Sequence, residues 1–308
     1  MGGLAALRWS SRGSFRVAMF HEFRESDLAG LDRICAHISR HFEPIPLASM
    51  VSAIAGQTRL AANALVVTVD DGYRNFLLAQ PIFRRHRIPA TVYAVAGFCD
   101  RRLWLWTDQV SFAIEHTAKK SVHAVIDQQI FDLDLSSEAG SQQSRERLWE
   151  ALKVCADGER LAFLGRLPAL FGVEIPEDPP ESRSALSWEE LRALAADGVE
   201  IGCHTYSHPI LSRLSDRSSL EQEIRGAREL MESRLQRPVM HFCYPNGREI
   251  DIGERSRACV RESGFTSSVT CTFGLNTLQA DPWRLQRLPL DASMEPDYAS
   301  EVLAGLHL

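Results

Sequence analysis

Four residues in two short stretches carry side chains that could do chemistry together: Asp70 and Asp71, and His204 and His208. Two adjacent carboxylates repel each other unless water solvates them or a cation neutralises one of them. Two imidazoles four residues apart would lie on one face of a helical turn, a common geometry for binding one metal ion. Each stretch also has a plainer interpretation. Asp-Asp-Gly is ordinary turn chemistry, and the histidines could be hydrogen-bonded surface residues.

Both stretches follow predicted strands, which would bring them to one edge of a sheet. Residues 65–69 form a short apolar run rich in β-branched side chains, and residues 199–203 are predicted as a later strand. The carboxyl ends of parallel strands are where α/β folds place catalytic groups. One carboxylate and the two histidines could then form a His-His-Asp site with open positions for water. Such a site suits Zn²⁺, and also Co²⁺, Ni²⁺ or Fe²⁺.

The elements around these strands alternate between strand and helix. In the first part of the chain they are predicted over residues 15–20, 31–42, 65–69, 76–86 and 89–95. Such an alternation predicts parallel strands joined by crossover helices. The alternation resumes after residue 187, and about seven parallel strands are predicted in total.

Two later segments have a distinct character. Residues 104–184 are predicted to be a mostly helical insertion, in which residues 122–135 form a hairpin and residues 136–144 a polar loop. Residues 216–236 are predicted to form a long helix whose many charges indicate a solvated outer face.

Composition narrows the class of protein. The chain has 308 residues, 45% of them hydrophobic and 24% charged, as is typical of a globular protein. The net charge of -6 argues against a general nucleic-acid binder. No stretch is long enough to span a membrane, and residues 1–15 lack the apolar core of a secretory signal. Seven cysteines without a CxxC pair suit a reducing compartment, so a cytoplasmic location is expected.

Two motifs resemble those of a known family. Val69-Asp70-Asp71-Gly72 is similar to the Thr-Phe-Asp-Asp-Gly motif of the polysaccharide deacetylases, carbohydrate esterase family four. The run from His204 to His208, His-Thr-Tyr-Ser-His, is similar to their His-Ser/Thr-x-x-His motif, and the order and separation also match. The resemblance covers nearly the whole chain. It implies a distorted parallel (β/α) barrel of about seven strands, one domain over residues 1–308, with the helical insertion at about residues 104–184.

The same resemblance implies an activity and roles for the motif residues. The activity would be metal-dependent removal of an N-acetyl group from an amino sugar or glycan, most readily a biosynthetic intermediate. The residues that would hold one divalent metal ion, with Zn²⁺ as the first expectation, are Asp71, His204 and His208. Asp70 would be the general base.

A third motif of the family is only partly matched. Tyr244-Pro245-Asn246-Gly247 lies where the family has an Arg-x-Pro-Tyr-Gly-like motif. The backbone N–H of Asn246 is therefore a candidate oxyanion donor, and Tyr244 and Pro245 are candidate substrate contacts. A plain turn is the alternative interpretation.

Three departures from the family leave roles open. The arginine of the third motif falls on Cys243, Asn246 replaces a tyrosine, and the Leu-x-His motif that often supplies the general acid is replaced by Arg287-Leu-Pro-Leu290. The acid is therefore unassigned, and His21 at the end of the first strand is a pocket candidate, unless it is simply a satisfied histidine at the barrel rim. Arg287 could orient Asp70 in place of the missing arginine, or it could form a surface ion pair.

The remaining candidates are two tryptophans. Trp104 and Trp106 could stack on a sugar ring, or they could pin the insertion to the barrel. Two rival functions stay open: a related amidohydrolase or deformylase acting on a small amide, and a catalytically silent glycan-binding barrel. An N-acetylated glycan is the expected partner, and no oligomeric state is predicted.

Overall fold

A computed structural model describes residues 13–306 of the chain, so most of the stretch analysed for a secretory signal lies outside the described residues. The described residues form these strands: β1 (Ser14–Phe20), β2 (Glu43–Pro44), β3 (Ala64–Val69), β4 (Ala90–Ala94), β5 (Ser121–Ile126), β6 (Gln129–Asp134), β7 (Glu200–Cys203), β8 (His241–Cys243), β9 (Ser267–Phe273), β10 (Asn276–Thr277) and β11 (Leu285–Pro289).

Seven parallel strands close into a barrel. Strand β1 pairs in parallel with β3 on one side and with β11 on the other, which closes a ring in the order β1, β3, β4, β7, β8, β9 and β11. Two short strands extend the sheet outside this ring, with β2 parallel beside β3 and β10 antiparallel beside β1. The predicted distorted (β/α) barrel of about seven strands is therefore confirmed.

Helices surround the barrel. The described residues form these helices: α1 (Leu28–His41), α2 (Leu47–Ile54), α3 (Phe76–Arg85), α4 (Ala96–Cys99), α5 (Trp106–His116), α6 (Glu138–Val154), α7 (Asp157–Phe171), α8 (Trp188–Ala196), α9 (Arg217–Glu221), α10 (Ala227–Leu235), α11 (Glu249–Ile252), α12 (Glu254–Glu262) and α13 (Pro296–Ala304). A π-helical turn, Gln222–Gly226, joins α9 to α10 within the predicted long helix.

The pleat of the strands divides their side chains between two cores. On β3, Leu65 and Val67 face outward into the main apolar cluster beneath the helices, whereas Val66 faces an inner cluster within the barrel. Because side chains alternate along a strand, the residues that follow Val66 on the same face are Thr68 and Asp70. The sequence of β3 therefore delivers Asp70 to the interior of the barrel at its carboxyl end.

The insertion has an apolar cluster of its own, built from α5, α6, α7 and the antiparallel hairpin of β5 and β6. One prediction within it was wrong, because most of residues 136–144 belong to helix α6. Ser137 caps that helix by accepting a hydrogen bond from the backbone N–H of Gly140 at 3.1 Å, which allows a polar stretch to begin a helix. The interpretation of residues 1–308 as one domain stays a prediction.

Among the described helices, none combines the length and the apolar character needed to cross a lipid bilayer.

Candidate active site

A tight turn after β3 delivers the two adjacent carboxylates. Asp71 and Gly72 both have left-handed backbone angles, with φ of 69° and 74°. A Cβ at Gly72 would lie 3.0 Å from the Ala94 Cα, so the close approach to β4 favours glycine there. The turn sends Asp70 into the barrel interior and leaves Asp71 beside it at the carboxyl end of the strands, where α/β folds place chemistry.

The two histidines lie on a loop, and the expectation that one helical turn aligns them was wrong. Thr205 and His208 have φ of 67° and 59°, which no α-helix contains. The backbone N–H of His208 donates to the Thr205 hydroxyl at 3.0 Å, which tightens the loop. The two imidazole centroids nevertheless lie 4.8 Å apart. The two rings therefore converge, although a loop and not a helical turn brings them together.

Glu223 holds this loop in place, and sequence reasoning missed it. Its carboxylate accepts hydrogen bonds from the backbone N–H of Tyr206 at 3.0 Å and of Ser207 at 2.8 Å, and from the Ser207 hydroxyl at 2.6 Å. Glu223 lies in the π-helical turn and is buried. The many charges of the long helix predicted a solvated face, and this prediction was wrong at Glu223. The pKa of Glu223 is raised, because the effect of burial is larger than the opposing effect of these hydrogen bonds.

Asp71, His204 and His208 form a cluster that could hold a metal ion. The Nε2 atoms of both histidines lie 3.4 Å from the same Asp71 oxygen, and the three ligand atoms lie within 4.8 Å of one another. Because Zn–N and Zn–O bonds are about 2.0–2.2 Å long, this spacing leaves room for one cation between them. The His204 Nδ1 lies 2.8 Å from the Cys243 carbonyl, an acceptor, so Nδ1 carries the proton and Nε2 keeps its lone pair.

The electrostatics of this cluster favour a cation. Burial and the neighbouring His204 lower the pKa of His208 to about 3, which keeps this imidazole neutral, as a metal ligand must be. Although burial alone would lower the pKa of His204, its close approach to Asp71 and the charges of both carboxylates raise it. The pair of carboxylates thus draws positive charge to the place where the three ligand atoms meet.

Asp70 is paired with a buried arginine from the last barrel strand. Two nitrogens of Arg287 lie 2.7 Å from the two oxygens of Asp70, and the Arg287 Nε donates to the Thr270 carbonyl at 2.7 Å. Arg287 is 1% exposed and Asp70 is 2% exposed, which rules out a surface ion pair. Burial alone would raise the pKa of Asp70, but the guanidinium holds it well below the ordinary value. Arg287 therefore orients an ionised Asp70. The Cys243 Sγ lies 3.4 Å from an oxygen of the same carboxylate.

The predicted oxyanion turn lies at the site, but only one of its residues faces the cavity. Asn246 lines the cavity with φ of 56°, and among the described residues no acceptor takes its backbone N–H. Its side-chain amide donates to Asp251. Tyr244 and Pro245 are buried beneath the turn and do not line the cavity, so their expected contact with substrate does not fit. The Tyr244 hydroxyl instead faces the Trp283 carbonyl at 3.5 Å.

Of the candidates His21 and Trp104, His21 lines the cavity and Trp104 does not. His21 is half exposed on the cavity wall, and its Nε2 lies 3.7 Å from Asp70. Trp104 is buried, donates from Nε1 to the Glu177 carbonyl at 3.0 Å, and packs edge-to-face on Phe112. It does not line the cavity, so the alternative that it pins the insertion matches its placement.

The cavity that contains these residues has a volume of about 670 Å³. One wall is the barrel rim, and the other is the insertion. The insertion contributes lining residues that sequence reasoning did not select, among them Asp108, Trp149 and Arg183, and it also places the aromatic candidate Trp106 in this wall. The indole N–H of Trp106 donates to the His208 carbonyl at 3.1 Å, which ties the insertion to the loop of the two histidines.

Comparison with solved structures gives the same architecture. A deacetylase from Streptococcus pyogenes, PplD in complex with acetate, aligns with a TM-score of 0.60 and 12% identity over 94% of this chain and 98% of that one. IcaB from Ammonifex degensii aligns with a TM-score of 0.58 and 15% identity over 94% and 97%. The BpsB deacetylase domain from Bordetella bronchiseptica aligns with a TM-score of 0.54 and 16% identity over 91% and 96%. At these identities the likeness shows a shared fold.

Comparison by sequence identifies the family. None of the curated proteins matches the chain. The family model for polysaccharide deacetylases matches residues 58–268, which include both carboxylates, both histidines and the whole insertion. The chain belongs to the polysaccharide deacetylase family.

Proposed function

We propose that this protein is a divalent-metal-dependent hydrolase that removes an N-acetyl group from an amino sugar within a glycan. The observation that carries the proposal is the convergence of Asp71, His204 and His208 beside a second carboxylate, Asp70, at one end of a family-typical barrel. A cluster of three ligands next to a separate, ionised base is what metal-assisted amide hydrolysis requires.

Each residue of the site has a proposed task. Asp71, His204 and His208 would hold one divalent ion, with Zn²⁺ first and Co²⁺, Ni²⁺ or Fe²⁺ as alternatives. That ion would polarise the acyl carbonyl and lower the pKa of the attacking water. Asp70 takes the proton of that water.

Two further residues support this chemistry. Arg287 keeps the Asp70 carboxylate ionised and fixes its orientation through two hydrogen bonds. The backbone N–H of Asn246, which lies at the cavity, would donate to the oxyanion that develops as the carbonyl is attacked. His21 lines the same wall and is a candidate for contact with the substrate.

The substrate is proposed from the shape and lining of the cavity. Its volume of about 670 Å³ is in the range of pockets that accept molecules larger than one small amide. Trp106 and Trp149 on the insertion wall offer aromatic surface to the apolar face of a sugar ring. The seven free cysteines support a reducing location, so a cytoplasmic, biosynthetic glycan intermediate is the proposed class.

Acetate and amine release test the proposal. The zinc-loaded protein should release both products in equal amounts from at least one member of a panel of N-acetylated sugars and oligosaccharides, and a chelator should abolish the release. Asp70→Asn is the matched inactive control. Release of formate or of another acyl group from small amides would favour the related amidohydrolase or deformylase. Tight glycan binding by a metal-loaded protein without any release would favour the silent binding barrel.

A further inference from the structure

A buried carboxylate on the insertion wall has no role in the steps described above. Asp108 lies in the first turn of α5, is 8% exposed and lines the cavity. The Tyr73 hydroxyl donates to one of its oxygens at 2.8 Å, and the Arg183 Nε lies 3.5 Å from the other. A buried carboxylate with an open side toward a cavity is costly for stability alone, so it calls for an explanation.

The turn that carries Asp108 is fastened to both loops of the metal cluster. Trp106, two residues before it, donates to the His208 carbonyl at 3.1 Å. Tyr73, which donates to Asp108, lies two residues after Asp71 on the turn that follows β3. These two contacts hold Asp108 across the same cavity from the three metal-binding side chains, on the insertion side.

The surroundings of Asp108 favour a protonated carboxyl near neutral pH. The groups that face it are Tyr73, Arg183, Glu22 and Asp71. Burial is the largest influence, and together with the charges of Glu22 and Asp71 it raises the pKa of Asp108 to about 7, against the lowering by Tyr73 and Arg183. Asp70, by contrast, is held ionised by Arg287. Two carboxyl groups whose environments push their pKa values apart are the usual arrangement for an acid and a base.

We propose that Asp108 is the proton donor to the leaving amine, the role that the sequence left unassigned. The inference rests on the proposed amide hydrolysis. In that reaction the water oxygen bonds to the acyl carbon while Asp70 takes the water proton. The C–N bond then breaks, the nitrogen keeps the electron pair, and Asp108 supplies its proton. The proton on Asp70 returns to Asp108 through solvent, so both groups are restored.

The dependence on the leaving group tests this role. The amine of an N-acetyl sugar must be protonated to leave, whereas 4-nitrophenolate leaves without a proton. Three acetyl compounds serve as probes with the zinc-loaded protein: tetra-N-acetylchitotetraose, phenyl acetate and 4-nitrophenyl acetate. Asp108→Asn should lower the ratio of amide to 4-nitrophenyl acetate turnover about 10²–10⁴-fold, with phenyl acetate between them. Asp132→Asn, an exposed carboxylate on the hairpin, is the matched control and should leave the ratio unchanged.

A pH profile provides a second, independent readout. Amide hydrolysis by the wild type should fall as pH rises through the raised pKa of Asp108, and Asp108→Asn should lack this fall. Tyr73→Phe removes a hydrogen bond that lowers this pKa, so the fall should move to higher pH. This variant keeps Asp108 and therefore tests the role even if Asp108→Asn does not fold.

The failures of the two proposals can be told apart. Equal losses for all three probes in Asp108→Asn, or an unmoved alkaline limb in Tyr73→Phe, would overturn the role of Asp108 and leave the proposed function intact. A zinc-loaded wild type that hydrolyses none of the three acetyl compounds would overturn the proposed function and this inference with it.

Discussion

The buried pair of Arg287 and Asp70 should contribute strongly to stability as well as to the chemistry. The two side chains are 1% and 2% exposed and are joined by two N–O distances of 2.7 Å. Arg287→Met would leave the carboxylate buried without its counter-charge, and Asp70→Asn would do the same to the guanidinium. Each should lower the free energy of unfolding by about 3–5 kcal/mol. The double variant buries neither charge, so its loss should be smaller than the sum by about 2–3 kcal/mol.

Urea unfolding of the four proteins at several pH values measures this coupling. The folded-state pKa of Asp70 is depressed, so the stabilisation by the pair is present above the ordinary value of about 4 and is lost as pH falls through the depressed value. In Arg287→Met no guanidinium offsets the effect of burial, so the pKa of Asp70 rises. Asp70 becomes protonated below this raised pKa, so the loss of unfolding free energy relative to the wild type should shrink there. A coupling under about 1 kcal/mol, the size found for exposed pairs, or a loss that is constant with pH would refute the reasoning.

Three substitutions test individual residues of the site. His208→Ala should abolish stoichiometric metal binding, and metal retained at one equivalent would remove His208 from the ligand set. Asp70→Asn should keep the metal and lose turnover about 10²–10⁴-fold, so near-normal turnover would contradict its role as the base. Trp104→Ala should lower the free energy of unfolding by about 3–5 kcal/mol with KM unchanged, because the ring packs against Phe112. A raised KM at full stability would return Trp104 to the substrate site.

The barrel could be predicted because its signals are local. Strand β3 is apolar at five of its six positions and ends in the carboxylates, which is typical of a parallel strand buried on both faces. The alternation of such strands with helices limits the topology to a few candidates. Side chains alternate between the two faces of strand β11. Leu285 faces the inner cluster, so Arg287, two residues further along, lies on the same face and can reach Asp70. The sequence left this pairing open because it depends on the closure of the ring.

The backbone of the histidine loop could not be predicted from its spacing. A separation of four residues fits a helical turn, but the left-handed angles of Thr205 and His208 are stabilised by contacts from distant residues. The carboxylate of Glu223 accepts three hydrogen bonds from Tyr206 and Ser207, and Glu223 lies in the π-helical turn that interrupts the long helix.

The insertion wall escaped prediction for a similar reason. Asp108 is an ordinary acidic residue in the first turn of a helix, a position where acids are common. Only the packing of the insertion onto the barrel brings it against Tyr73 and into the cavity. The one signal available in the sequence was the missing general acid, which indicated that some residue outside the family motifs should take its place.

Zinc titration of the chelator-treated protein tests the central claim most directly. With acetate release from N-acetylated glycan as the readout, activity should be absent without metal and should rise to a plateau at one equivalent of Zn²⁺. The His208→Ala protein should show no such break. Full activity after chelation, or a plateau that requires two or more equivalents, would contradict a single metal ion held by Asp71, His204 and His208.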